Sequence, residues 1–345
     1  MEYIVIGGFF CVLSFIEILK YNRFYSSIIL LFFSVVMILF VSLRNGEVVG
    51  TDSPAYFFNY IYPFDFTVEY GYKYVAAFFS KVLNADYTIF LIFINTLSIF
   101  LISSALKRNS YFLVFPLLIY YSDFYLYYNF SGVRQAIALS FSTFAIYYAY
   151  HRNYKAFFLL VLCAISFHIS AIVFALAIFV PKKTLTVRNY LYLIALSLIA
   201  FGAIGYVIEH NEYISNKFKY YSDVQENSTN ILMLFIVGLL KRSIILVLII
   251  LVGRKLFKNQ RFVYLFNLYL LGIIIYVSTY LISPDFGVRF SSYFTVVDML
   301  LVGNMLYLGG SNSNKIIIFT VISIMIFYKI STYAFLDMYN YKFVF

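Results

Sequence analysis

The chain has 345 residues, 63% of them hydrophobic and only 12% charged, with a mean hydropathy of +0.88. So little polar surface excludes a water-soluble globule of this length. The net charge of +10 does not indicate a nucleic-acid binder, because the basic residues stand at the ends of apolar runs and not in one polar domain.

The apolar runs, roughly 17–25 residues each, match what is needed to cross a hydrocarbon core of about 30 Å. Lipid offers backbone groups no partner, so such runs are helical. The first, 3–19, has no basic leader or small-residue cleavage site and reads as a retained helix. Further spans follow at 24–43, 86–106, 110–128, 132–150, 156–180, 189–208, 231–252, 262–282, 289–309 and 315–335. The fold class is an all-α polytopic membrane protein of about 11–12 transmembrane or re-entrant helices. It forms one integral membrane domain over 1–345, with outer loops at 44–85 and 209–230. Within 69–84, Val75, Phe78, Phe79 and Val82 recur at helical spacing while Lys73 and Lys81 point elsewhere. That pattern predicts an amphipathic helix on the outer membrane surface. Cys11 and Cys163 sit inside apolar runs and imply no disulfide framework.

Basic clusters orient the spans. Lys20/Arg23, Lys107/Arg108, Arg152/Lys155, Lys182/Lys183/Arg188 and Arg254/Lys255/Lys258/Arg261 should all face the cytoplasm. The run 156–180 has such a cluster at both ends, so a single crossing would place one outside. A hairpin of two short helices turning around Ser166–Ser170 satisfies every cluster and puts His168 at the turn, within a protein-lined outer cavity. The rival is one long helix that violates the rule.

Several polar residues then gather on the outer face: Arg44, Arg134, Arg289 and His168, with Asp52 in the stretch GTDSP. Charges at membrane depth are costly and usually face a cavity, which makes their convergence a functional-site expectation. Each also has a plainer reading. An arginine at a helix end can snorkel to head groups, a lone histidine can be structural, and Asp-Ser-Pro suits a helix start. Lys241 and Arg242 lie about 16 Å along the span beginning at 231, and Asp298 about 14 Å along from Arg289. The matched depths predict a structural Arg242–Asp298 ion pair; the alternative is that Arg242 or Lys241 lines the cavity floor. No cluster of His, Cys, Asp or Glu has metal-ligand spacing, so no metal is expected.

Four pieces carry a resemblance: LRNGEVVGTDSPAYFFNY (43–60), EYGYKYVAAFF (69–79), GVRQAIALSFSTFAIYYAYHRNYKAFFLLVLCAISFHISAIVFAL (132–176) and VRFSSYF (288–294). In order and spacing the chain resembles the EpsG-like branch of Wzy-type O-antigen and exopolysaccharide polymerases. The stretch 185–282 contributes nothing to it. The resemblance implies a metal-independent glycosyltransferase without cofactor, of the architecture shared by lipid-linked sugar transferases, in the bacterial cytoplasmic (inner) membrane. It would act on the periplasmic side in lipopolysaccharide or exopolysaccharide biosynthesis. Its partners would be undecaprenyl-diphosphate-linked oligosaccharides, membrane lipid and a chain-length regulator, with no nucleic acid. The growing glycan would pass from its carrier to the non-reducing end of another carrier-linked unit.

The residues suit that chemistry. Arg44, Arg134, Arg289 and Arg242 are the expected diphosphate ligands, since guanidinium is always charged and binds phosphate oxygens bidentately. His168 and Asp52 are the candidate bases for the acceptor hydroxyl, His168 first because imidazole titrates near working pH. Gln135, Tyr56 and Tyr293 are expected substrate contacts. A lipid-linked oligosaccharide flippase would also need arginines, but internal symmetry and gates on both faces should accompany it. A ligase-type transferase performs the same transfer to a different acceptor, and a non-catalytic scaffold leaves the outer arginines and histidine unexplained.

Overall fold

The computed structural model describes every residue except 67, 185, 187, 196, 199–201, 203–230, 281–282 and 345. The expected outer loop 209–230 and much of the 189–208 span lie outside the described residues. The described residues form helices and their connections, and the sole extended pairing among them is an isolated bridge between Arg44 and Phe343. Among the described residues seven helices are long and apolar enough to cross a membrane, so this is an all-α, multi-pass membrane protein. The chain forms two compact units, 1–178 with 299–345, and 179–298.

In the first unit, α1 (Glu2–Leu19), α2 (Arg23–Ser42), α5 (Tyr87–Asn109), α7 (Val133–Tyr150) and α8 (Tyr154–Phe167) are joined by the short α3 (Ser53–Ile61) and α4 (Tyr70–Ala77). Helix α6 (Val114–Tyr120) continues as a π-helix to Asn129 and is almost wholly buried. Protein rather than lipid surrounds α6 and much of α7, which explains how α7 tolerates buried Gln135, Ser140, Ser142 and Thr143. The last three donate to carbonyls one turn back.

The two ends of this unit are pinned differently. At one end the Glu17 carboxylate accepts the backbone N–H groups of Leu113, Val114 and Phe115, capping α6 from another helix. There too the Arg23 guanidinium donates to the carbonyls of Lys107, Ser110 and Tyr111. At the other end, Tyr3 donates to the Tyr339 carbonyl, and Tyr121 to that of Tyr3. The tail after the last helix pairs with the loop after α2, through Asn45 N–H to Lys342 O (2.7 Å) and Gly50 N–H to Met338 O (2.8 Å). Basic residues from two connections, Arg23 and Lys107/Arg108, thus share one end, as the charge pattern predicts.

The run 156–180 folds as a hairpin. Helix α8 stops at Phe167, His168 is extended (φ −154°, ψ 118°), and a 3-10 helix runs over Ile169–Phe179. The rings of Phe157 and Phe174 lie 6.0 Å apart, whereas seventeen residues of straight helix would separate them by about 25 Å.

The 69–84 element is a helix that buries one face against protein and leaves Phe78 and Val82 of its apolar face exposed. Tyr72, Ala76 and Phe79 are buried, while Tyr70, Tyr74, Phe78 and Val82 are exposed. The π-turn over Phe78–Val82 changes the register from the ideal repeat that the spacing assumed.

The second unit contains α9 (Ile231–Val252), α10 (Gln260–Thr279) and α11 (Pro284–Thr295). Asn267 on α10 donates to the carbonyls of Pro181 and Lys183, fixing the chain that leaves the hairpin. Helix α12 (Asp298–Leu308) leads back to the first unit, and α13 (Asn312–Ala334) completes it.

Candidate functional site

At the tail-bearing end of the first unit, α3, the start of α4, the start of α7 and the hairpin turn bring together Tyr56, Glu69, Arg134 and His168. Arg134 opens α7, so its side chain points outward from the first turn. Its Nη1 forms an ion pair with Glu69, whose Oε2 accepts the hydrogen bond. The guanidinium also lies 5.5 Å from the Tyr56 ring centre. Both charged side chains are about a fifth exposed: 19% for Arg134 and 20% for Glu69.

Glu69 precedes α4 and faces the hairpin turn. Its second oxygen accepts the Ile169 N–H (3.4 Å), the residue after His168. Close approach makes this possible: a Cβ on Gly71 would stand 2.6 Å from the Ser166 carbonyl oxygen, so only glycine lets α4 meet the end of α8. Burial is the strongest influence on the Glu69 carboxyl and raises its pKa, but Arg134, His168 and backbone N–H groups together outweigh it. The carboxyl titrates below its ordinary value of 4.5 and is ionised at neutral pH.

His168 Nδ1 is 2.6 Å from Ser170 Oγ and 3.4 Å from the Ser170 nitrogen. The Ser170 backbone N–H donates to Nδ1, so that nitrogen carries the lone pair and the hydrogen of the neutral ring is on Nε2. Beside this cluster a groove of about 380 Å³ is lined by Ala55, Phe58, Asn59, Phe66 and Val68. Ala55 and Asn59 flank Tyr56 on α3, and Val68 precedes Glu69.

Other expected site residues are placed elsewhere. Arg44 is 1% exposed and serves the fold. Its guanidinium donates to the carbonyls of Val41, Val49 (3.1 Å), Asn129 (3.5 Å) and Phe130 (2.9 Å) and lies over the Phe130 ring. The expectation of a diphosphate ligand is corrected on this point: the turn after α2 folds the side chain inward, where carbonyls use its donors. Gln135, next to Arg134, is turned by about 100° into the bundle and is 4% exposed, so it faces protein and not a ligand. Asp52 is exposed at the start of α3, one turn before Tyr56, and makes no side-chain cap bond to that helix.

Three expected residues belong to the second unit. Arg289 pairs with Asp285 one turn earlier on α11 (3.0 Å). Tyr293 is wholly buried, which corrects its expected role as a substrate contact. Arg242 stacks 3.8 Å over the Tyr276 ring and donates to the Gly238 carbonyl, and this replaces the expected pair with Asp298. Equal depth along two spans fixed no azimuth, and the aromatic neighbour lay on the facing side of α10.

Glu69 and Ser170 were missed from sequence. Glu69 was read as the start of an amphipathic helix, yet an acidic residue is scarce in this chain (15 Asp and Glu in 345) and stands in the matching stretch EYGY. Among the described residues no group of three or more His, Cys, Asp or Glu could hold a metal ion.

No curated protein and no solved structure matches the chain. The EpsG family model matches residues 6–343, which include α3, α4, α7 and the hairpin that build the cluster. The chain therefore belongs to the EpsG family, a polymerase-type family of polysaccharide biosynthesis.

Proposed function

We propose that this protein is a polysaccharide polymerase that transfers a growing glycan from undecaprenyl diphosphate to the non-reducing end of another carrier-linked unit. The single observation carrying this reading is the Arg134–Glu69–His168 cluster: a partly exposed guanidinium and an imidazole that both act on one carboxylate, held at one end of a membrane-embedded unit. The positive-inside rule assigns the opposite, Lys- and Arg-bearing end to the cytoplasm, which makes the cluster's side periplasmic.

In this reading Arg134 binds the donor diphosphate at the membrane surface, where the polyprenyl tail remains in lipid. The acceptor hydroxyl attacks the anomeric carbon, the bond from that carbon to the diphosphate oxygen breaks, and the carrier diphosphate leaves. The hydroxyl proton passes by way of the Ser170 hydroxyl to His168 Nδ1, 2.6 Å from it. The guanidinium stabilises charge growing on the leaving diphosphate, a contribution of about 3 kcal/mol for a well-placed donor. Tyr56 holds the guanidinium in place, and Asp52 binds acceptor hydroxyls near the start of α3.

The test compares glycans in cells carrying Arg134→Gln or His168→Ala. Loss of long chains with one capped unit retained and normal protein level supports a polymerase. Loss of all surface glycan points instead to a flippase or ligase, and unchanged long chains remove the cluster from the reaction.

A further inference from the structure

We infer that Glu69 is the resident counter-anion of the diphosphate site: it occupies Arg134 when the site is empty, yields to the incoming diphosphate, and returns to displace the spent carrier. This rests on the reading of Arg134 as a diphosphate ligand. The Glu69 carboxylate already sits where a phosphate oxygen would, on Arg134 Nη1, beside the Tyr56 ring that fixes the guanidinium. Arg134 is largely buried, and a cation in such a place needs compensation between turnovers.

Glu69 also has somewhere to go. Its other oxygen already reaches the Ile169 N–H, next to His168 at the turn. Leaving Arg134, the carboxylate stays bonded to the hairpin turn and does not become an unpaired buried charge. Two anions competing for one guanidinium weaken each other's binding, so the pair limits diphosphate affinity and favours product release.

The experiment titrates inorganic pyrophosphate and farnesyl diphosphate into the full-length protein in detergent micelles, and measures chain length in cells in parallel. Glu69→Gln removes the competing charge and is expected to tighten pyrophosphate binding about fivefold, the scale of a partly exposed ion pair, while chain elongation slows. Glu69→Asp keeps the charge on a shorter arm and should give a smaller tightening. A Glu69 that only supported the fold would weaken binding and elongation together. Unchanged or weaker pyrophosphate binding in folded Glu69→Gln overturns the exchange, and if that variant does not fold, unchanged binding in Glu69→Asp does so. Arg134→Gln separates the two levels: undiminished pyrophosphate binding there overturns the reading of Arg134 itself.

Discussion

Arg44 and Arg134 look alike in sequence, each closing or opening a span on the same face, yet the structure gives them opposite surroundings: Arg44 is 1% exposed and Arg134 19%. Replacing Arg44 with methionine keeps much of the side-chain length and removes every donor. Two of its well-formed bonds, to Phe130 O (2.9 Å) and Val49 O (3.1 Å), are charge-assisted and buried. At about 1.5 kcal/mol each, the lower end for bonds to charged groups, their loss costs roughly 3 kcal/mol. The carbonyls left without donors push the total toward the ~3–5 kcal/mol of a broken buried charge site. A 3 kcal/mol loss shifts a folding equilibrium by about a hundredfold. Arg44→Met should therefore show a low steady-state level in membranes and a lowered unfolding temperature in detergent. Arg134→Gln leaves Glu69 its bond to the hairpin turn, and should lose less stability than Arg44→Met while failing in pyrophosphate binding. A folded, abundant Arg44→Met protein that has lost pyrophosphate binding would refute this assignment and restore Arg44 as a ligand.

Gly71→Ala forces α4 away from Ser166 and should shorten polymer chains while pyrophosphate binding to Arg134 is kept, a split read by glycan gels and titration. Removing the tail from Asp337 onward deletes the bonds to Asn45 and Gly50 and the Tyr339 hydroxyl contact with Ser131 (2.8 Å), and should lower the unfolding temperature. An unchanged melting curve would show that the tail does not hold the loop after α2. Glu69 also predicts a pH dependence. Its folded pKa lies below 4.5, so its contribution to stability is complete above that pH and is lost as pH falls through the folded value. Unfolding temperatures of wild type and Glu69→Gln should differ by a constant amount at neutral pH and converge below about pH 4.5.

The sequence by itself determined the membrane class, the helical fold and the sorting of charge between ends, and it left the hairpin at His168 against one rival, a single long helix. These follow from run length and the cost of placing backbone or charge in lipid, both of which act locally. It also placed Arg134, His168 and Tyr56 on one side. The tertiary structure alone decided which residues on that side meet. Arg44 and Gln135 carry the same signal as Arg134, but side-chain direction at a helix end depends on what packs there, and carbonyls of Val49 and Phe130 claimed Arg44. Glu69 is distant from Arg134 by 65 residues, and its pairing arises because Gly71 lets α4 reach the hairpin. Local physics sets which side of the membrane a group faces. Its partner is chosen by contacts between segments that the chain's order does not reveal.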